Sequence, residues 1–431
     1  MTIPAPTHPS SNLDDLPRLI RDGDALMWGQ TNGQPSRLVE AVIARRAAWR
    51  RLKVFLGVSQ SPVPGPEHGD LFEYSAYCGS GHNRAMLKAG LLDILPLHYS
   101  QLPRVIGNGQ LPVDVLLLQV SPPDEQGRYS LGLANEYLIA ALGRARVILG
   151  EVNAAVPWTH STHHLRASDF ALLIESDAPL TEMGKAAPNP VEQAIGRHVA
   201  GLIEGGATIQ LGLGGIPEAV MDALTGHREL GVHSGTIGDG VANLMEAGVV
   251  TNARKEIDAG VTVTGVLMGT ARLARYAHRN PLIQMRGTDY THGAAVLGHF
   301  KRLVAINSAV EVDLTGQINA EIAGGSYVGA VGGALDFGRA ALAAEHGVPM
   351  IALPSTAGKN SRIVVDAAMV STPRSDAGVI VTEYGVADLR GLSIRARVAR
   401  MLAIAHPDHR EALERAARER IPGMRRVSSP A

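Results

Sequence analysis

One cysteine, Cys78, is all the thiol that 431 residues contain. A lone thiol excludes an intrachain disulfide framework and every zinc site that needs paired thiolates, and it suits a reducing cytoplasm. Aromatic residues are scarce, at 4%, so little in the composition supports stacking on a large ring substrate. An excess of one charge is also missing. With a formal net charge of −1 the chain has no basic field to grip a phosphate backbone, and no nucleic-acid partner is expected. No apolar run approaches the roughly 20 residues that span a bilayer, so no membrane partner is expected. The opening MTIPAPTHPSSNLDDLP lacks a basic stretch followed by an apolar one, which reads as a loose terminus rather than a signal peptide. From Arg420 to Ala431 the chain reads as a basic, disordered tail.

What is present is a large apolar fraction, 45%, in a chain too long for one ordinary core. Two stretches share a pattern: Leu19 to Val42, containing DALMWGQTNGQPSRLVEAV, and Leu202 to Val220, LIEGGATIQLGLGGIPEAV. Each reads as a buried strand, a Gly-rich turn, then a proline near the start of a helix. Continuous apolar runs recur at VDVLLLQV (113–120), ARVILGEVN (145–153), FALLIES (170–176), RLVAIN (302–307), PMIALPS (349–355) and GVIVTEYG (378–385). Such runs suit a parallel sheet covered on both faces, so the fold class is α/β. The Pro- and Ala-rich MGKAAPNPVEQ (183–193) is the best linker. It divides the chain into an N-terminal α/β domain, 1–188, and a C-terminal one, 189–431.

The glycine-rich turn Gly212, Gly214, Gly215, Ile216 and Pro217 follows the strand TIQL. Glycines let backbone N–H groups approach a carbonyl or phosphate, although simple tight-turn geometry accounts for the pattern equally well. Its spacing is neither a P-loop nor a dinucleotide fingerprint.

Several segments together resemble the acetyl-CoA hydrolase/CoA-transferase family, which includes 4-hydroxybutyrate and butyrate CoA-transferases. They are VSPPDEQGRYSLG (120–132), EVNAAVP (151–157), GLGGIPEAV (212–220), LGVHSGTIGDGVANL (230–244), AINSAVEVDLTGQIN (305–319), VGGALDFGRA (331–340), PSTAGKNSRIV (354–364), VTEYGVADLRG (381–391) and IAHPDHR (404–410). The resemblance implies two related open α/β domains with mostly parallel sheets and an active site at their interface. It implies coenzyme A as a substrate thioester, an acyl-CoA and a small carboxylic acid as partners, no metal, and a homodimer or homotetramer.

The family's transferases use a glutamate carboxylate to attack the acyl carbon, because a carboxylate is both nucleophile and leaving group and conserves the thioester energy. Their segment carries a Thr-Glu pair where this chain has Ser234 and Gly235. Glycine offers no nucleophile. Acyl-CoA hydrolysis is therefore the first expectation, with transfer through a relocated carboxylate, a non-catalytic CoA-binding role, and carbon–carbon cleavage or hydration of a CoA ester as alternatives. Among substitute carboxylates Glu383 ranks first, matching a supporting position of the family, with a loop-bracing role as its other reading. Glu218 and Glu321 read as solvated or capping groups, and Asp239 as a turn holder.

The resemblance also implies that the amide of Asn307 and the loop Gly332-Gly333 form an oxyanion pocket, which would polarise a thioester for attack by water or an acid. A strand-end amide and a tight turn are the alternatives. Family members often carry Gln or Ser where Ala334 stands. Lys359 falls near the coenzyme phosphates by resemblance, or is a solvated surface group. His160, His163 and His164, absent from the family's stretch, would put His160 and His164 on one face of a helix, where they could activate water, orient a polar acyl group or bind metal; surface histidines in a polar loop are the alternative. The acyl pocket is expected near 29–34, 80–83 and 158–164. His233 reads as packed within its loop, and Cys78 as structurally buried.

Overall fold

The computed structural model describes residues 9–183, 187–212 and 214–421. The tail beyond 421 and part of the expected linker lie outside them. The chain divides into two compact units, Met1–Gly184 with His233–Ala242 and Gly260–Val296, and Lys185–Val232 with Asn243–Ala259 and Leu297–Ala431.

The first unit is organised by a seven-stranded, wholly parallel sheet. Its order is Leu172–Ser176, Val147–Asn153, Val115–Val120, Ala25–Trp28, Leu52–Leu56, Phe72–Ala76, Leu92–Ile94. Ala25–Trp28 and Val115–Val120 are buried at every position, as strands covered on both faces must be. Helix Ser36–Ala44 contributes Leu38, Val39, Ala41 and Val42 to the apolar core with Leu26, Leu52, Val54 and Phe72. From Ala25–Trp28 the chain builds one half of the sheet, then returns through Val115–Val120 to build the other. The gap between those two strands is the topological switch point, and ligands of open α/β sheets bind beyond the carboxyl ends of strands at such points. In the same unit His233–Ile237 pairs in parallel with Thr262–Leu267, and Ile283–Met285 lies between that strand and His160–Ser161.

The second unit repeats the strand–turn–helix pattern with Thr208–Leu211 and helix Gly215–Ala223. The helix starts before Pro217, which occupies its third position rather than opening it. Leu303–Asn307, Val348–Ala352 and Val379–Thr382 extend the sheet in parallel, and Gly385–Asp388 closes its edge antiparallel. The mixed α/β class with mostly parallel sheets is thus the observed one. Among the described residues no helix is long and apolar enough to cross a membrane.

Candidate functional site

The carboxyl end of Ala25–Trp28 delivers Gln30, which is buried. Its side-chain oxygen accepts from the Val58 N–H at 2.9 Å and from the Tyr77 hydroxyl at 2.7 Å. That leaves its Nε2 to donate to Glu136 Oε2, which also accepts from the Tyr99 hydroxyl. Gly57 makes room for this arrangement, since a β-carbon there would stand 2.4 Å from the Gln30 β-carbon.

Glu136 is 1% exposed and has a backbone φ of +28°, a conformation that a non-glycine residue rarely adopts. Its other oxygen, Oε1, is buried and has no hydrogen-bond partner. Burial outweighs the two donors on Oε2 and pushes the carboxyl up to about 7. Burial also raises the Tyr77, Tyr99 and Tyr137 hydroxyls well above their usual range, so they stay protonated donors.

Gly235 belongs to the same surroundings. A β-carbon at this residue would stand 2.6 Å from His292 Cε1 and 2.9 Å from Nε2, so the imidazole fills the space a side chain would need. The His292 ring lies 4.9 Å from that of Tyr99, and burial depresses its pKa to about 3, which keeps it neutral. Gly265 connects the two positions. A β-carbon on it would meet the Gly235 carbonyl oxygen at 3.1 Å and the Glu136 β-carbon at 3.6 Å, while its own carbonyl accepts from Asn135 N–H at 2.9 Å.

The residues expected from sequence fall into both units. His160 and His164 are in the first, but not on a helix: His160 begins the two-residue strand His160–Ser161, and His164 follows in a turn before Leu165–Arg166. The intervening strand and turn break the shared helical face. His164 stacks flat on Trp158, with ring centroids 4.6 Å apart and planes 7° apart, and burial lowers its pKa. His160 lines a cavity of about 250 Å³ with Asp124, Arg128, Trp158 and Arg279. No group of three metal-ligating side chains occurs among the described residues.

In the second unit the Asn307 amide makes a reciprocal pair with Gln210, at 3.0 and 3.2 Å. Asn307 and Ala334 line one small cavity, and Ala334 opens the helix Ala334–Ala343 whose N-cap is Gly333. Gly332, at φ +58°, makes the turn into that helix. Glu383 gives both oxygens to Ser355, Oε2 to its N–H at 2.9 Å and Oε1 to its hydroxyl at 2.5 Å. Glu321, read from the sequence as a solvated or capping group, is not solvated. It is 5% exposed and clamped by the Tyr327 and Ser371 hydroxyls at 2.8 and 2.7 Å, because the short pairing of Ile322–Ala323 with Ser326–Tyr327 folds Tyr327 back over it. Gly212 donates its N–H to the Ile306 carbonyl at 3.2 Å, and Gly214, at φ +123°, caps the helix Gly215–Ala223. Gly215 leaves room for the Glu192 carboxylate, 2.1 Å from where its β-carbon would lie. Ile216 is 7% exposed and packs inward. Lys359 is exposed in the turn joining Thr356–Ala357 to Asn360–Ser361. Asp239 opens the helix Asp239–Glu246 in the first unit and accepts from Thr270 N–H and hydroxyl at 2.9 Å each, which ties it to the N-cap of Ala271–Ala277 rather than to a turn of its own. His233 is fully buried, with Nε2 3.1 Å from the Thr291 carbonyl. Cys78 is buried, and its thiol is pushed up by that burial.

Sequence reasoning reached Gln30 only as part of the stretch 29–34, and it passed over Tyr77, Tyr99, Glu136, Gln210 and His292. The available signal for one of them was a single acid inside the otherwise uncharged LGLANEYLIAALG (131–143).

Residues 11–168 match the acetyl-CoA hydrolase/transferase N-terminal domain, and residues 269–417 match the C-terminal domain of the same family. The chain belongs to the acetyl-CoA hydrolase/transferase family. It is 37% identical over 401 residues to the 4-hydroxybutyrate coenzyme A transferase of Clostridium kluyveri, covering 91% of this chain and 94% of that one. To the succinyl-CoA:cyclohexane-1-carboxylate CoA transferase of Geobacter metallireducens it is 35% identical over 406 residues, covering 93% of each. The crystal structure of RipA from Yersinia pestis superimposes with a TM-score of 0.91 at 30% identity, covering 96% of this chain and 97% of that one. Membership makes the protein an enzyme, and both hydrolysis and transfer occur under the family's name.

Proposed function

We propose that this enzyme hydrolyses acyl-CoA thioesters, with coenzyme A entering as part of the substrate. The observation that carries the reading is the closed space at Gly235. By resemblance the family's transferases attack from that position with a glutamate, and here a β-carbon would run into the His292 imidazole. Without a side chain at 235, covalent capture of the acyl group from that position has no reacting atom.

The supporting apparatus is the Asn307 amide beside the N-terminus of helix Ala334–Ala343, with Gly332 and Gly333 leading into it. Donors fixed where charge develops stabilise a tetrahedral oxyanion whether the attacking oxygen comes from water or from an acid. The glycine-rich turn at Gly212–Pro217 and Lys359 are the proposed contacts to the coenzyme. His160 and His164, beside the cavity with Arg128 and Arg279, are proposed to meet a polar acyl group.

Transfer to a small carboxylic acid is the second reading, favoured by the transferase names of the relatives. Incubation with a panel of acyl-CoAs, with and without acetate, separates the two when free CoA and exchanged thioesters are followed by mass spectrometry. Hydrolysis gives free CoA without an acceptor. Exchange that needs acetate, with no CoA released in its absence, defeats the proposal.

A further inference from the structure

In the first unit Glu136 and Glu151 each keep a buried oxygen, Oε1, without a hydrogen-bond partner, and Glu136 is the one that Gly265 links to Gly235. Asp239 spends both oxygens on Thr270, and in the second unit Glu383 spends both on Ser355. Glu136 concentrates its protein donors, Gln30 and Tyr99, on Oε2 and leaves Oε1 buried and unpartnered. An uncompensated carboxylate oxygen away from water is costly, and native proteins rarely keep one without a use.

Its location supplies the second observation. Gln30 lies just past the carboxyl end of Ala25–Trp28, and Glu136 follows Val115–Val120 in the chain, so the pair joins the two loops of the switch point. Gly265 places the Glu136 β-carbon and the Gly235 carbonyl within 3.6 and 3.1 Å of one point. The Glu136 β-carbon therefore lies near the strand position from which, by resemblance, the family's transferases attack.

We infer that Glu136 is the acid–base residue of this enzyme, accepting at Oε1 the proton of the water that attacks the thioester. This rests on the hydrolytic reading above. As the water oxygen bonds to the acyl carbon, one water proton passes to Oε1. The tetrahedral oxyanion then collapses, the carbon–sulfur bond breaks, and the proton leaves Oε1 for the departing CoA thiolate. The products are the free acid and the thiol, the carboxylate is regenerated, and no further reactant is needed.

The groups around Glu136 fit such a role. Gln30 and the Tyr99 hydroxyl bond to it, and Tyr77 and Tyr137 sense its charge. Neutral His292 lies against Tyr99, and Cys78 adjoins Tyr77 and Tyr137. Desolvation raises the carboxyl to about 7, where it can both take and return a proton at neutral pH.

The test compares wild type with Glu136→Gln and Glu136→Asp from pH 5 to 9, measuring CoA release together with the affinity of a non-hydrolysable CoA thioether. Wild-type kcat is expected to rise through an apparent pKa near 7. Glu136→Gln is expected to lose about 10²- to 10⁴-fold in kcat and to lose the inflection, at unchanged thioether affinity, while Glu136→Asp recovers part of the rate. A Glu136→Gln enzyme with the wild-type rate and profile overturns the assignment. An infrared carboxyl band, taken as wild type minus Glu136→Gln, reads the residue without turnover: it should titrate and shift when the thioether binds, and a band indifferent to saturating thioether overturns the assignment even if hydrolysis is observed. Absence of CoA release from wild type instead defeats the hydrolytic reading and the step with it, while the infrared response reports separately whether this carboxyl meets the acyl end. Oxygen-18 from the solvent found in Glu136 after a single turnover overturns the base role in favour of covalent capture.

Discussion

Glu383 binds Ser355 with both of its carboxylate oxygens, one on the backbone N–H and the other on the hydroxyl. A carboxylate with both oxygens engaged by one residue ties the end of Val379–Thr382 to the segment after Val348–Ala352. Of the two roles left open by the sequence, we propose the bracing one for Glu383 rather than that of a substitute carboxylate. Glu383→Ala is expected to cost about 1–3 kcal/mol in chemical denaturation, the usual loss when a buried or half-buried hydrogen-bond partner is removed. The rate per folded molecule should fall by much less than for Glu136→Gln. A stable Glu383→Ala protein with abolished turnover would contradict this.

Filling position 235 should fail alone and succeed in combination. Gly235→Ala drives a β-carbon into the His292 ring, an overpacking that typically costs about 1–3 kcal/mol. His292→Gly removes the obstruction, so the double variant should be more stable than the sum of the two single changes implies. Denaturant midpoints of the four proteins complete the cycle, and strictly additive effects would show that the two residues do not share the space.

Loss of the Asn307 amide should appear in kcat. A donor aimed at a developing oxyanion is worth about 10²- to 10³-fold when removed. Asn307→Ala should therefore depress kcat far more than it raises KM, whereas a merely structural amide paired with Gln210 would reduce stability and leave kcat per folded molecule intact.

Stability should depend on pH in a direction set by two buried groups. Glu136 has a folded pKa raised from 4.5 to about 7, so the folded protein holds the extra proton and stability falls as pH rises through that window. For His292 the folded pKa is depressed from 6.5 to about 3, and its contribution is lost as pH falls below 6.5. Glu136→Gln should remove the first slope and leave the second, as read by denaturation at intervals between pH 4 and 8. Equal slopes for wild type and variant would show that Glu136 is not buried as described.

Cys78 should be inert in the native state. Its thiol is buried and pushed up by desolvation, so little thiolate is present at neutral pH. A thiol reagent should label it only at the rate of unfolding, and rapid stoichiometric labelling of the native protein would refute this.

Much of the fold could be read from the chain because continuous apolar runs announce strands covered on both faces. Val115–Val120, Val147–Asn153, Leu303–Asn307 and Val379–Thr382 were visible in this way. Leu52–Leu56 and Phe72–Ala76 were not, because Lys53 and Glu73 interrupt them, and only sheet pairing sets those two charged residues opposite one another. The histidine cluster misled for a related reason: spacings of three and four suggest a helical face, yet His160 is recruited into a parallel pairing with Gln284 from a distant strand.

By itself the sequence determined the α/β class, the family and the absence of a carboxylate at 235, since each depends on residue order and type. Tertiary structure alone decided that His292 closes the space at Gly235 and that Glu136 is bonded to Gln30, 106 positions away, and to Tyr99. Desolvation and exclusion of a side chain are properties of the neighbours in space, and those neighbours come from parts of the chain with no local sign of one another.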